Sequence, residues 1–414
     1  MPTTNDAAIE DVLGGLHVID CDAHFTEPPD LWTSRVPASM QDKVPVMKTV
    51  KGRSLWFLND HLMMHTGGNT IRKGGKKLLG VASIGDWQDI DESSWDAKAR
   101  LRLMDDMGVW SQILYPNAIG FASNTLFSIE DLEQRSLLQQ VYNDFLMDVQ
   151  DESAGRLLPQ AVLPVWDMDL TLKEMTRLRE RGITGFTISD KPHTVGLPDL
   201  DSEYFAPMWS LGNEMGAVFN FHIASGVAKS DKTLGDVKKS GNPLEQPNPD
   251  MFFESYGPQR RLAILATQFY MSNARIIINL CMGGFFDRYP GLKIFSAESG
   301  IGWVPFILEA MEYQLDEMVT DPAELAVQSR RPTEYFRDHI YVSFWFERSG
   351  PAKLIEEIGV NNVLIETDVP HPTCIFPNTR SRIAEVMSTV SPEVRRRVLQ
   401  DNAVDLFGLT LPAS

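Results

Sequence analysis

The chain has 414 residues, of which 43% are hydrophobic, and its formal net charge is −18. This length suits either one large α/β domain with insertions or two ordinary domains, and the apolar fraction is ample for a core. The acidic balance argues against nucleic acid and an anionic membrane surface as partners, because both attract basic patches.

The cysteines and the N-terminal segment bear on the compartment. The three cysteines lie far apart and are odd in number, so they predict no disulfide framework and favour a reducing compartment. Residues 1–16 lack a basic start and a long apolar run, which argues against a signal peptide. The longest apolar run, residues 276–286, is too short and too interrupted to span a bilayer. We therefore expect a cytoplasmic protein.

The first predicted strand covers residues 18–24 and carries three polar groups. Side chains alternate along a strand, so Asp20, Asp22 and His24 share one face. Burying an isolated carboxylate or imidazole is costly unless a metal or a partner compensates it. A metal bound by Asp22 and His24 and a simple pairing between them explain this motif equally well. Asp20 is more simply a hydrogen-bonding residue at the end of the strand.

Two long polar stretches interrupt the pattern that follows. The first covers about residues 25–94 and the second about 224–258. Connections of this length often cover a site or make a subunit contact. We expect them to be insertions after strands one and five, and the second to be a lid or an interface loop. A homodimer is compatible with this expectation.

Strands and helices alternate through the remainder of the chain. Further strands are predicted at 111–115, 158–162, 185–189, 217–222, 293–298, 339–345 and 362–368. Helices are predicted at 95–107, 128–150, 169–181, 203–215, 259–286, 304–318, 352–358 and 380–409. Ser128 with Asp131 resembles a capping box, and Ser391 is a plausible N-cap. The stretch 259–286 is predicted to be mainly helical, and its glycine pair Gly283-Gly284 is compatible with a break. The isoleucine run 276–278 is the weakest point of this helix prediction.

This alternation predicts parallel strands joined by right-handed helical crossovers. Eight strands separated by helices fit a (β/α)8 TIM barrel better than a doubly wound sheet. No Gly-x-Gly-x-x-Gly motif follows a strand, so nothing indicates a dinucleotide. We therefore predict that residues 1–414 form a single barrel domain with two insertions.

The carboxyl ends of the predicted strands carry the candidate site. In barrels the reacting groups lie at these ends. Strand one ends in Asp22 and His24, strand five in His222, strand six in Glu298 and strand eight in Asp368. The fold therefore predicts that these five side chains converge on one rim. Two imidazoles with two or three carboxylates suit zinc, manganese or iron(II), and we expect zinc first, as one or two ions.

The same residues suggest chemical roles. A Lewis-acidic ion lowers the pKa of bound water and polarises a carbonyl. Asp368 can hold the ion, act as general base on such a water, or do both in turn. Glu298 can join the ligands or act on the water. His371 can orient the substrate or Asp368, and a structural role in its loop explains it equally well. Asn220 is expected to fill the barrel.

These motifs resemble those of the amidohydrolase-related family, in the branch of the aminocarboxymuconate-semialdehyde decarboxylase-like enzymes and several hydrolases. The matching segments run over nearly the whole chain, and they are Asp20-x-Asp22-x-His24 with Glu27-Pro28, Tyr142-Asn143-Asp144, Phe221-His222, Asp287-Arg288-Tyr289-Pro290, Glu298 to Trp303, and Asp368-Val369-Pro370-His371-Pro372. The resemblance implies a (β/α)8 barrel. It also places Asp22, His24, His222 and Asp368 at the family's metal-ligand positions.

The chain departs from the family pattern at two positions. Many relatives carry His or Glu where this chain has Asp22. The family's decarboxylases carry His followed by Gly at the end of strand six, where this chain has Glu298-Ser299-Gly300. In those enzymes that His is taken to assist proton movement during carbon-carbon cleavage. Its absence favours hydrolysis, in which a metal-held water attacks a carbonyl.

We therefore predict a metal-dependent hydrolase that acts on an amide, ester or thioester of a small organic acid. The alternative is a non-oxidative decarboxylase of a hydroxy-aromatic or related acid, in which the same metal clamps a carboxylate and its neighbouring hydroxyl. A barrel that binds ligands without catalysis is a third hypothesis. The full set of ligand-type residues argues against it.

Overall fold

The computed structural model describes residues 6–122, 124–183, 185–225, 253 and 255–412. Eight strand positions follow one another around a barrel in chain order. They are Ile19–Phe25 as strand one, Ser111–Pro116 as strand two, Leu157–Pro159 continued by Ala161–Val162 as strand three, Gly185–Thr187 as strand four, Val218–His222 as strand five, Lys293–Ala297 as strand six, Ile340–Phe344 as strand seven and Val363–Ile365 as strand eight.

All the ladders between neighbouring barrel strands are parallel. The closure between strands one and eight is short. It consists of one bridge, between Ala23 and Val369, with the amide of His24 donating to the carbonyl of Val369 at 2.7 Å. The amide of Asp368 donates to the carbonyl of Asp22 at 2.8 Å. The predicted eight-stranded barrel is therefore confirmed.

Helices connect the strands and pack their apolar faces against the barrel. In chain order the α-helices are Asp6–Leu13, Ala97–Met107, Leu132–Glu152, Met168–Glu180, Ala206–Met215, Pro258–Phe269, Ala274–Met282, Phe285–Arg288, Val304–Met318, Pro322–Leu325, Pro332–His339, Ser349–Lys353, Ile355–Ile358, Thr379–Met387, Pro392–Arg396 and Asn402–Phe407. None of the helices in the described ranges is both long enough and apolar enough to cross a bilayer.

The helix ends confirm some predictions and correct others. The helix predicted from Ser128 begins at Leu132, and its cap is Asp131, whose side chain accepts hydrogen bonds from the next backbone amides. Ser128 instead ends a 3-10 turn, so the predicted capping box is wrong. The predicted cap at Ser391 is confirmed, since its hydroxyl accepts from the amide of Val394.

The predicted helix at 259–286 is divided into three helices, Pro258–Phe269, Ala274–Met282 and Phe285–Arg288. The second division lies at Gly283-Gly284, where the sequence allowed a break, and the first was not predicted. The β-branched run Ile276 to Ile278 lies inside the second of them. Burial of Ile276 and Ile277 in the core overrides the weak helix propensity of these residues. The region predicted as one helix at 352–358 also proves to be two short helices.

The stretch between strand one and the first barrel helix has a sheet of its own. Strands Val46–Val50, Arg53–Leu58 and His61–His65 pair antiparallel. The chain then turns toward the barrel rim, where the hydroxyl of Thr70 donates to the carbonyls of Pro370 and His371 at 3.0 Å. In the predicted lid at 224–258, residues 226–252 and 254 lie outside the described residues.

Buried polar residues reinforce the barrel where the ladder between strands one and eight is short. Asp20 accepts hydrogen bonds from the amide of Thr367 at 2.7 Å, from the hydroxyl of Thr367 and from Nε2 of Gln112 at 2.8 Å. Arg100, also fully buried, donates to the side chain of Gln112 and to the carbonyl of His24. These contacts fit the predicted hydrogen-bonding role of Asp20.

The middle of the barrel contains Asn220. The hydroxyl of Tyr115 donates to Oδ1 of Asn220 at 2.9 Å, and Nδ2 of Asn220 donates to Gln160 at 2.7 Å. Asn220 therefore joins strands two, three and five below the rim, which agrees with the predicted role as a barrel-filling residue.

We expect Asp20→Ala to destabilise the chain, because the substitution leaves the buried donors of Thr367 and Gln112 without their acceptor. The loss should reach about 3 kcal/mol, seen as a lower midpoint of urea unfolding. Asp60→Ala is the matched control, since the Asp60 side chain is 82% exposed and should leave the midpoint unchanged. Equal midpoints for the two variants would contradict the bracing role of Asp20.

Candidate metal centre

The structure brings together the five side chains that the strand ends predict. Nε2 of His222 lies 3.2 Å from Nε2 of His24, 3.3 Å from Asp22 Oδ2 and 3.5 Å from Glu298 Oε2. Nε2 of His24 lies 3.5 Å from Asp22 Oδ1 and 3.6 Å from Asp368 Oδ1. All five side chains are buried at the carboxyl end of the barrel. Their role as metal ligands remains a prediction.

Hydrogen bonds to backbone carbonyls fix which ring nitrogens of the two histidines carry hydrogen. Nδ1 of His24 lies 3.0 Å from the carbonyl of Pro116, and Nδ1 of His222 lies 2.8 Å from that of Ile223. A carbonyl oxygen only accepts, so both Nδ1 atoms must donate. In the neutral rings the two Nε2 atoms therefore carry lone pairs, and these face each other across 3.2 Å.

The carboxylates add further acceptors to the same space. Both side-chain oxygens of Asp22 are buried and have no hydrogen-bond partner among the described residues. Buried acceptors without a donor are costly, and here they stand beside two lone pairs with no hydrogen between them. A divalent cation satisfies all of these atoms at once. The residues present therefore fit a divalent metal.

The electrostatics of the site are consistent with that fit. Burial lowers the pKa of His222 to about 4 and lowers the pKa of His24 well below its usual range, so both rings are neutral near pH 7. Burial, followed by the charge of Asp368, raises the pKa of Asp22 and of Glu298 well above the usual carboxyl range. Without a cation, the carboxylates oppose one another's ionisation.

Two of the acidic residues have an uncommon backbone conformation. Glu298 has φ 52° and Asp368 has φ 60°, in the left-handed region that residues other than glycine seldom adopt. Glu298 directly follows strand six, and Asp368 lies three residues after the end of strand eight. The amide of Glu298 is held by Glu366, whose Oε2 accepts it at 3.2 Å. Such strain persists where the surroundings enforce it, and it is frequent at functional sites.

Sequence reasoning missed Phe121, which lies against the cluster. Its ring centroid is 3.9 Å from that of His222. The preceding loop is held by the buried carboxylate of Glu27, which accepts from the amides of Asn117, Ala118 and Ile119 at 2.7–3.3 Å. Glu27 belongs to a motif noted in the sequence, but nothing in the sequence indicated that it organises a loop after strand two.

His371 also lies beside the cluster. Its Nδ1 is 2.9 Å from Oδ1 of Asp368, at ion-pair distance but without the alignment of a hydrogen bond. The ring of His371 stacks on that of His24 with centroids 3.6 Å apart. These contacts favour an effect on Asp368 over a purely structural role in the loop. The catalytic part of this assignment remains a prediction.

A second group of aromatic residues consists of Tyr270, Trp345 and Phe346. The ring of Tyr270 packs 5.1 Å from that of Trp345 and 5.3 Å from that of Phe346. Burial, and then the charges of Glu298 and Asp368, raise the pKa of Tyr270. Tyr270 is therefore close to the acidic cluster, although no sequence motif indicated this position.

Curated relatives match about four-fifths of the chain. Gamma-resorcylate decarboxylase of Polaromonas sp. strain JS666 is 25% identical over 341 residues, which cover 78% of this chain and 91% of that protein. The 2-amino-3-carboxymuconate-6-semialdehyde decarboxylase of Dictyostelium discoideum is 22% identical over 326 residues, covering 78% and 79%.

Solved structures share the fold over nearly the whole length. An amidohydrolase of Mycobacterium avium subsp. paratuberculosis K-10 superposes with a TM-score of 0.65 at 20% identity, covering 95% of this chain and 100% of that one. The dihydroxybenzoic acid decarboxylase of Polaromonas sp. JS666, solved with manganese and 2-nitroresorcinol, gives 0.58 at 20% identity, covering 95% and 97%.

The sequence model of the amidohydrolase family matches residues 19–409, from strand one of the barrel to the last helix. That range contains every residue of the cluster. The chain therefore belongs to the amidohydrolase family.

Proposed function

We propose that the chain is a metal-dependent, non-oxidative decarboxylase of a hydroxy-aromatic or related carboxylic acid. The observation that supports this most is the buried cluster of acceptor atoms, whose composition suits a divalent metal. The curated relatives described above are decarboxylases by name. Their names favour the alternative from the sequence analysis over hydrolysis of an amide, ester or thioester, which the sequence had placed first.

In this proposal Asp22, His24, His222 and Asp368 hold the metal, with Glu298 beside them. The sequence predicted zinc, with iron or manganese as alternatives. Manganese is present in solved relatives, so it is the first ion to test here. Zinc, and the choice between one ion and two, remain predictions.

When bound, the ion supplies a Lewis acid that holds a substrate carboxylate and its neighbouring hydroxyl oxygen. The chain's own aromatic residues orient the substrate and exclude water. Phe121 packs against His222, and the group of Tyr270, Trp345 and Phe346 lies near the acidic residues of the cluster. Aromatic side chains beside a polar centre are suited to a flat aromatic acid.

Loss of carbon dioxide from an aromatic ring requires a proton at the carbon that is left. We assign the delivery of this proton to the carboxyl group of Glu298. Burial and the charges of Asp368 and Asp22 raise the pKa of Glu298, so its carboxyl can hold a proton near neutral pH. In this proposal Glu298 moves the proton during carbon-carbon cleavage, the role for which the family's decarboxylases are taken to use a histidine. Asp368 belongs to the same cluster, and Nδ1 of His371 lies 2.9 Å from its Oδ1.

We also propose that the stretch at 25–94 is an insertion that forms one wall of this site. Its turn at 67–70 contacts His371 and Asn117, which supports the assignment. The second proposed insertion, at 224–258, and a homodimer remain predictions. A small-molecule substrate is the only partner that the proposal needs.

Replacing His222 by Ala tests the metal centre. The variant removes one of two buried nitrogen ligands, so metal content after purification without chelator should fall severalfold or more. His339→Ala is the matched control, because His339 is a buried histidine that stacks on Phe286 at a distance from the cluster. Inductively coupled plasma mass spectrometry gives the metal content of both. Full occupancy in the His222 variant would remove His222 from the ligands.

Loading the metal-free protein at pH 7 should release protons. Burial and the charge of Asp368 raise the pKa of Asp22, which favours a protonated carboxyl whose proton the cation displaces, whereas Glu298 lies beside the ligands and keeps its proton. Calorimetric titration with manganese in two buffers of different ionisation enthalpy counts the released protons. Asp22→Asn, which cannot titrate, should release fewer protons, whereas Glu298→Gln should release as many as the unmodified protein. Metal binding without proton release in the unmodified protein would contradict the assignment of protonated carboxyls.

The reaction itself is tested with hydroxybenzoates. Manganese-loaded protein should release carbon dioxide from at least one dihydroxybenzoate, and His222→Ala should lose that activity. Methyl esters and amides of the same acids serve as substrates for the competing hydrolysis. Release of methanol or ammonia without carbon dioxide would overturn the proposed decarboxylase and restore the hydrolase.

A further inference from the structure

A chain of hydrogen bonds with a defined direction leads from the turn at 66–70 to His371. Nδ2 of Asn69 donates to the carbonyl of Thr66 at 2.7 Å, so Oδ1 of Asn69 is the atom that accepts from the hydroxyl of Thr26 at 2.8 Å. The oxygen of that hydroxyl accepts from Nδ2 of Asn117 at 2.9 Å. Each donor in this chain therefore has one defined acceptor.

The other end of the Asn117 side chain is consequently an acceptor. Oδ1 of Asn117 accepts from the amide of Gly68 at 2.8 Å, and a backbone amide can only donate. The same Oδ1 lies 3.2 Å from Nε2 of His371. Nε2 must therefore carry hydrogen, and Nδ1 is the nitrogen left facing Asp368.

Packing fixes the plane of the same ring. The His371 ring stacks on the His24 ring at an interplanar angle of 16°. A Cβ atom added at Gly68 would lie 2.6 Å from Cδ2 of His371, so only glycine allows the turn to approach this closely. A tilt of the ring would therefore disturb His24 or the turn, and the hydrogen bond to Asn117 defines which edge of the ring faces Asn117.

We infer that Asn117 is a positioning residue that holds His371 with Nε2 protonated and Nδ1 turned to Asp368, so that His371 acts through Asp368 and does not bind the metal through Nε2. The inference rests on the metal centre of the proposed function but not on the identity of the reaction. Groups that orient a ligand in this way commonly change metal affinity by 10-fold to 100-fold.

Nitrogen NMR of the histidine-labelled, metal-free protein tests the inference directly. The His371 signals are assigned by their loss in His371→Asn. In the unmodified protein Nε2 of His371 should give the signal of a protonated ring nitrogen. In Asn117→Leu that signal should change, and the Kd for manganese should rise by about 10-fold or more. If the leucine variant does not fold, Asn117→Ser, whose side chain is too short to reach the ring, replaces it.

Two variants separate positioning from general destabilisation. Asn117→Asp keeps an acceptor for Nε2 and should restore the wild-type tautomer. Thr70→Val removes the hydrogen bonds from the Thr70 hydroxyl to the carbonyls of Pro370 and His371. It leaves the contacts of the His371 ring with Asn117 and His24, so the tautomer of His371 and the Kd for manganese should stay near wild type. An equal loss of affinity in Thr70→Val would overturn the inference, as would a wild-type spectrum with Nδ1 protonated and Nε2 bare. Failure to release carbon dioxide would affect only the proposed reaction.

Discussion

Two imidazole nitrogens with lone pairs face each other at 3.2 Å beside a carboxylate that has no donor, and the rest of the site is arranged around them. The carbonyls of Pro116 and Ile223 enforce this arrangement, because they accept the single N–H of the neutral His24 and His222 rings. Such a concentration of acceptors in a buried space is unfavourable for the protein alone. The arrangement therefore destabilises the metal-free protein, and a bound cation is the simplest way to offset that loss of stability.

The barrel provides the stiffness that this arrangement needs. His24 lies in strand one and Asp368 follows strand eight, and the ladder between these strands is short, so the network of Asp20, Gln112 and Arg100 holds that junction. The network contacts the backbone of the site itself, since Arg100 donates to the carbonyl of His24. Strand one therefore carries a structural carboxylate, Asp20, in the barrel interior and a proposed metal-binding carboxylate, Asp22, at the rim.

The sequence predicted the barrel and the five clustered residues because both depend on short-range rules. Period-two alternation placed Asp22 and His24 on one face, and the positions of strand ends identified His222, Glu298 and Asp368. The same rules could not identify Phe121, Asn117 or Tyr270, since those residues reach the site through loops whose course depends on distant contacts. Glu27 shows the difficulty, because its partners lie about 90 residues away in the chain. Glu298, which replaces the histidine of the family's decarboxylases, was also not enough to decide between hydrolysis and decarboxylation.

The turn at 67–70 has a consequence for how this protein can be re-engineered. It follows a small antiparallel sheet outside the barrel, yet it contacts the residues that position a ring inside the site. Loop exchange between related barrels usually treats such an excursion as a removable module. In this protein a chimera would have to transfer the segment at 25–94 together with Asn117 and His371, because these parts depend on contacts with one another.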